Sequence, residues 1–238
     1  MASKILNVNM EFPWWFSLAG AIWIFYSGDH LIDAFKLKNP KSRRRKFYSE
    51  HFSPLLYVTI FLLMVNIFSS FFFLDNKIIM FGISVGLVTS LYLSLVFLFG
   101  KKKKYWLQKE LSVAVIYTAG IWGSLIIESG HAPGLVIMLI IFSFFLLVLS
   151  DILIFALIEY QQDHQDEFIS IIGMIGKKNV STLIHILLII TILTSIFIIF
   201  INPENKYITA ALIFIFMDLV LFLIFYFKKR LLKNDWYR

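Results

Sequence analysis

Two pairs of carboxylates have a spacing that could do chemistry. Asp29 and Asp33 are four residues apart, as are Glu159 and Asp163, and Asp166 and Glu167 extend the second group. On a helix, each i,i+4 pair shares one face about a turn apart, where like charges repel unless something positive binds. Hard oxygen ligands of this kind suit Mg²⁺, which takes one or two carboxylates, several waters and substrate phosphates. A basic set accompanies them: Arg43, Arg44, Arg45, Lys46 and Lys109. Acids that hold a metal, beside bases that meet anionic oxygens, make a diphosphate site.

The elements that must position these groups are set by composition. The chain has 238 residues, of which 59% are hydrophobic and 16% charged. Its mean hydropathy is +0.81. A soluble domain is about 45–50% apolar and about 25% charged, so a soluble globule is excluded, and so is a disordered tail. The absence of cysteine excludes disulfide frameworks, thiolate metal sites and cysteine nucleophiles. What remains is an all-α integral membrane protein forming a single transmembrane domain over residues 1–238.

A bilayer core about 30 Å thick needs roughly 20 apolar residues per helix. Seven stretches qualify: residues 13–33, 53–74, 78–99, 105–127, 134–158, 180–201 and 207–227. They are apolar all round and do not alternate, which argues for helices over barrel strands. The first lacks a basic leader and runs into Gly28-Asp29-His30, so it does not read as a cleavable signal peptide.

Charge in the connections gives the orientation. Seven Lys/Arg lie between Lys36 and Lys46; further groups are Lys101 to Lys104, Lys177-Lys178 and the tail from Lys228. The opposite connections hold only Lys4, Lys77 and Lys206. Lys/Arg excess marks the cytoplasmic side, which places the N-terminus outside and the C-terminus inside, in a bacterial inner membrane. The net charge of +7 is thereby topological, and it implies contact with membrane lipid and no nucleic acid. Both acidic groups fall on the cytoplasmic side. Trp14, Trp15, Trp106 and Trp236 read as an interfacial belt. The five histidines show no ligand spacing and are taken as non-ligands. Asp151 and Asp218 lie inside spans, and either could be a structural polar group or part of a site.

With these residues in view, the chain resembles the UbiA superfamily of intramembrane prenyltransferases. That family carries N-D-x-x-D-x-x-x-D at one helix end, and here the matching run is Phe25-Tyr26-Ser27-Gly28-Asp29-His30-Leu31-Ile32-Asp33. Its second motif, Y-A-x-x-D-x-x-x-D, is matched by Phe155-Ala156-Leu157-Ile158-Glu159-Tyr160-Gln161-Gln162-Asp163. Between them, Y-P-x-x-K-R is matched by Tyr105-Trp106-Leu107-Gln108-Lys109-Glu110. The chain departs where the leading Asn-Asp is Phe25-Tyr26, where Glu159 replaces Asp and where Glu110 replaces Arg. Its seven spans compare with the family's usual nine.

The resemblance implies a helical bundle with a polar cavity at the cytoplasmic side. It implies transfer of an isoprenyl group from a prenyl diphosphate to a lipophilic acceptor, often aromatic, with Mg²⁺ assistance. Asp29, Asp33, Glu159 and Asp163 would be the catalytic and metal-holding acids, with Asp166 also on the metal. Lys109, Arg43, Arg44, Arg45, Lys46 and Tyr105 would bind the diphosphate. Two other readings stay open: a catalytically degenerate protein of the same fold, and a transporter using its intramembrane acids as an ion path.

Overall fold

The computed structural model describes residues 1–36, 43–99, 107–165 and 171–234. Side chains at 36, 43, 96–99, 107–109, 162–164 and 228–234 fall outside that description. Ten helices are described: α1 (Ala2–Ile5), α2 (Phe12–Lys36), α3 (Arg43–Glu50), α4 (Phe52–Phe73) and α5 (Asn76–Phe99), followed by α6 (Leu107–Ser129), α7 (Leu135–Gln165), α8 (Ile171–Ile175), α9 (Lys177–Ile201) and α10 (Asn205–Asn234). There is no strand among the described residues. The chain is an all-helical integral membrane protein.

Among the described residues, six helices are long and apolar enough to cross a bilayer: α4, α5, α6, α7, α9 and α10. Without water to bond its peptide groups, such a segment must satisfy them internally, which a helix does. These six correspond to six of the seven expected stretches. The remaining stretch is α2, a full-length helix whose apolarity is diluted by Ser17, Gly20, Ser27, Gly28, Asp29, His30 and Asp33. Three short helices had no expectation, the four-residue α1 among them. Helix α3 is mostly charged, and α8 is five residues long.

The turns are short. Leu74 and Asp75 join α4 to α5. Gly176, at φ +86°, breaks α8 from α9 in a conformation that a Cβ disfavours. Asn202-Pro203 ends α9, since proline cannot continue a helix.

Helix α4 packs along α2, and α5 along α6. Helices α6, α7, α9 and α10 form the core: about a third of each span is buried inside the protein, against 6% for α4 and α5. The buried positions recur at steps of three and four. On α7 they include Ile140, Ser143, Leu147, Ser150, Ile154 and Ile158. On α9 they include Val180, Ile184, Leu187, Thr191, Ser195 and Ile198, and on α10 Tyr207, Ala211, Phe214, Asp218, Leu221 and Phe225. This is the seam of a coiled-coil-like packing. Within it, Ser143 Oγ and Thr194 Oγ1 share a hydrogen bond at 2.8 Å, fixing α7 against α9.

Small and polar residues also fasten α2 to α4, as expected where helices cannot associate by excluding water. Asn66 Nδ2 donates to the Ser17 carbonyl at 2.9 Å, and Ser70 Oγ to Ser17 Oγ at 3.2 Å. Gly20 makes this approach workable, because a Cβ there would run into the Asn66 amide. Gly20→Leu should therefore part α2 from α4 and destabilise the protein by about 1–3 kcal/mol, the usual cost of overpacking. Gly86→Ala, inside α5 where a Cβ meets open space, should not lower the thermal midpoint in detergent. Equal midpoints for both variants would contradict the α2–α4 contact.

Candidate anion and metal site at the ends of α2, α3 and α7

The last two turns of α2 carry Asp29, His30 and Asp33. Their spacing on one helix brings a ligand atom from each within 4.8 Å of the others. His30 and Asp33 are buried, and Asp29 is half-buried. The His30 ring packs edge-on against Tyr26, with centroids 4.2 Å apart, and lies 5.2 Å from the Tyr48 ring of α3. Two carboxylates and an imidazole so gathered can hold a divalent cation.

Helix α3 supplies the positive charge. Its consecutive residues Arg44 and Arg45 reach different helices. Arg44 Nη2 donates to Glu159 Oε2 on α7 at 2.8 Å, a contact spanning 115 positions of sequence. Arg45 Nε lies 4.0 Å from Asp33 Oδ2 on α2. The two pairs differ in burial: the Arg45 and Asp33 side chains are 6% and 7% exposed, whereas Arg44 and Glu159 are 34% and 22% exposed. Lys46 turns outward and pairs with Glu50 on its own helix at 3.7 Å.

Both acidic groups therefore meet one short basic helix. Asp33 and Glu159 are each engaged by an arginine, and Asp29 lies beside Asp33. The side chains of Asp163, Arg43 and Lys109 lie outside the described residues, as do Tyr105 and Asp166 altogether.

Comparison of the chain with protein-family models, curated proteins and solved structures finds no match. The site must be argued from its own residues.

Three groups near this end were not singled out by their sequence pattern. His30 joins the Asp29–Asp33 set although it lacks a ligand-like spacing to another histidine. Glu110, at the start of α6, is buried, and its Oε1 accepts from the Ile171 backbone N–H at 3.4 Å. Its charge favours the α6 N-terminus, and it satisfies one of the unbonded N–H groups that open α8. Lys177 places its Nζ 4.5 Å from the centroid of the Tyr160 ring, next to Glu159. The pattern gave Lys177 a topological role only, because a cation–π contact between α9 and α7 leaves no local signature.

Burial ranks the two arginines. Removing one partner from a buried ion pair strands the other charge and costs about 3–5 kcal/mol. A half-exposed pair is worth about 0–1 kcal/mol. Arg45→Met should thus lower the unfolding free energy by several times more than Arg44→Met, and Asp33→Asn in the Arg45→Met background should recover part of the loss. Denaturant or thermal melts of the three variants in one detergent test this. An Arg44→Met loss as large as that of Arg45→Met would contradict the ranking.

Proposed function

We propose that the chain is a divergent UbiA-like membrane protein that binds a prenyl diphosphate and transfers its isoprenyl group to a lipophilic acceptor. In this reading α2 is a seventh span, the N-terminus is outside, and the basic end faces the cytoplasm of a bacterial cell. The ends of α2, α3, α6 and α7 then line a polar cavity on that side. The observation that carries the reading is the pair of neighbouring arginines, with Arg44 on Glu159 and Arg45 beside Asp33. They draw the two acidic motifs towards one basic helix at one end of the bundle.

The donor set fits Mg²⁺. Asp29 and Asp33 offer hard oxygens within one ion's reach, with His30 beside them, and Glu159, Asp163 and Asp166 would complete the acidic side. When bound, the metal supplies charge neutralisation for a diphosphate leaving group. The chain's own groups do the rest. Arg44 and Arg45, with Arg43, Lys109 and Tyr105, would present donors to the anionic oxygens, and arginine's planar fork suits phosphate. Lys46, turned outward to Glu50, is the expected donor the structure directs away from them. The apolar spans bury the isoprenyl tail at about 0.8 kcal/mol per CH₂. They also keep water from the allylic carbon while its C–O bond breaks. The carboxylates hold the arginines in place before the anion arrives, and the diphosphate oxygens would then compete for the same guanidinium donors.

A second reading draws on the same contacts. Acids already neutralised by arginine need no metal, as in a catalytically degenerate protein of this fold. Binding of geranylgeranyl diphosphate to the purified protein separates the two. The first reading expects binding that requires Mg²⁺, is lost in chelator, and weakens more than about tenfold, or 1.4 kcal/mol, in Asp29→Asn. Lys206→Ala, which breaks an ion pair with Glu204 far from the site, should bind normally. Binding that persists in chelator, or in Asp29→Asn, would overturn the diphosphate–Mg²⁺ site. Metal-dependent binding without prenylation of any acceptor would keep the diphosphate–Mg²⁺ site and withdraw the transfer reaction.

A further inference from the structure

Asp218 lies on the buried seam of α10, in mid-helix and away from the acids at the ends of α2 and α7. Its side chain is 1% exposed, and neither carboxylate oxygen has a hydrogen-bond partner among the described residues. Ser150 on α7 is in the same condition, with 0% exposure and an unpartnered Oγ.

The register puts these two at one depth. The Ser143–Thr194 hydrogen bond makes position 143 of α7 level with 194 of α9. These helices run antiparallel, so 149 is level with 188. Helices α9 and α10 are joined by residues 202–204, which puts 201 level with 205. Thirteen residues in from each of those ends are 188 and 218. Asp218 and Ser150 thus differ by about one residue of rise, roughly 1.5 Å along the bundle. Both are buried on the helices whose apolar residues, Leu147, Ile154, Leu188 and Phe214 among them, form one core cluster.

A carboxylate at this depth must be neutralised, since an ionised one costs about 2.5–3.5 kcal/mol on the insertion scale. Among the described residues no basic side chain pairs with it. The titratable groups on the helices packed against α10 are Asp151, Glu159, Tyr160, Asp163 and His164 on α7, Lys177, Lys178 and His185 on α9, and Lys4 on α1; of these, 159–164 and 177–178 lie about ten or more residues along the bundle from this level. Asp151 would add like charge. The His185 ring is outward-facing and packs on Phe225, with centroids 5.0 Å apart, and Lys4 lies at the opposite end of α10 from the basic tail. A bound metal cation needs about six or more oxygens. Helices α7, α9 and α10 run unbroken through this level and keep their carbonyls in their own ladders, leaving too few. A single proton needs only one carboxylate.

We propose that Asp218 is a reversible proton-binding site inside the membrane, with the Ser150 hydroxyl as its polar neighbour across the α7–α10 seam. The neutral acid seats α10 against α7, and proton release places an uncompensated charge in that seam. The proposal does not depend on the prenyl-diphosphate reading.

Infrared difference spectroscopy of the full-length protein in nanodiscs, titrated with pH, tests it. A protonated-carboxyl C=O band should be present near neutral pH and disappear reversibly under alkaline conditions. Asp151→Asn should retain the band and Asp218→Asn should lack it. The asparagine is nearly isosteric and uncharged, so this variant should fold, and near-unchanged circular dichroism would confirm that. Ser150→Ala should shift the band or its pH midpoint. A spectrum unchanged by Asp218→Asn at every pH would overturn the site. So would loss of the band on adding NaCl at constant pH, which would make it a metal-cation site.

Discussion

Charge in a medium of low dielectric must be matched, and much of this molecule is arranged around that constraint. A buried ionised group is tolerated only when paired, hydrogen-bonded or neutralised. Asp33 at the end of α2 meets it through Arg45, and Glu159 of α7 meets it through Arg44. Because these arginines are consecutive, matching two charges also ties two distant helices to one eight-residue element. Without α3, Asp33 and Glu159 would have to find other counter-charges or give up their own. Arg45–Asp33 is the more constrained pair because its side chains are the more buried.

The same scarcity of polar partners governs helix association. Apolar faces gain little by meeting each other in lipid, so contacts concentrate where small side chains let backbones approach. Gly20 with Asn66 does this for α2 and α4, and Ser143 with Thr194 for α7 and α9. The exposed faces of α4 and α5 need no explanation beyond lipid. Asp218 is the exception within the core, a carboxyl on a seam otherwise made of apolar and small residues.

The spans were legible in the sequence because length and apolarity suffice to mark them. Residues 53–74 and 180–201, for example, emerge as Phe52–Phe73 and Lys177–Ile201. Helix α2 shows where that signal weakens, since the glycines, serines and acids that give it packing and chemistry lower its apolarity. Helix α3 was invisible as an element. Its run of arginines reads as topological charge and as donors for a diphosphate, and no local pattern says that position 44 meets position 159. The i,i+4 spacing of Asp29 and Asp33 was legible and does place them together. His30, at i+1, escaped because its nearness to both acids depends on how its ring is held between Tyr26 and Tyr48.

The central claim is that α3 joins the end of α2 to the end of α7, and the absence of cysteine from the chain permits a clean test. Arg44→Cys combined with Glu159→Cys gives a protein whose two thiols should be joined efficiently by a short bifunctional thiol reagent in native membranes. The control pair Arg44→Cys with Thr209→Cys, the latter at the opposite end of α10, should not cross-link. Efficient coupling of the first pair alone is the predicted result. A folded protein in which positions 44 and 159 never couple would contradict the arrangement on which the site rests.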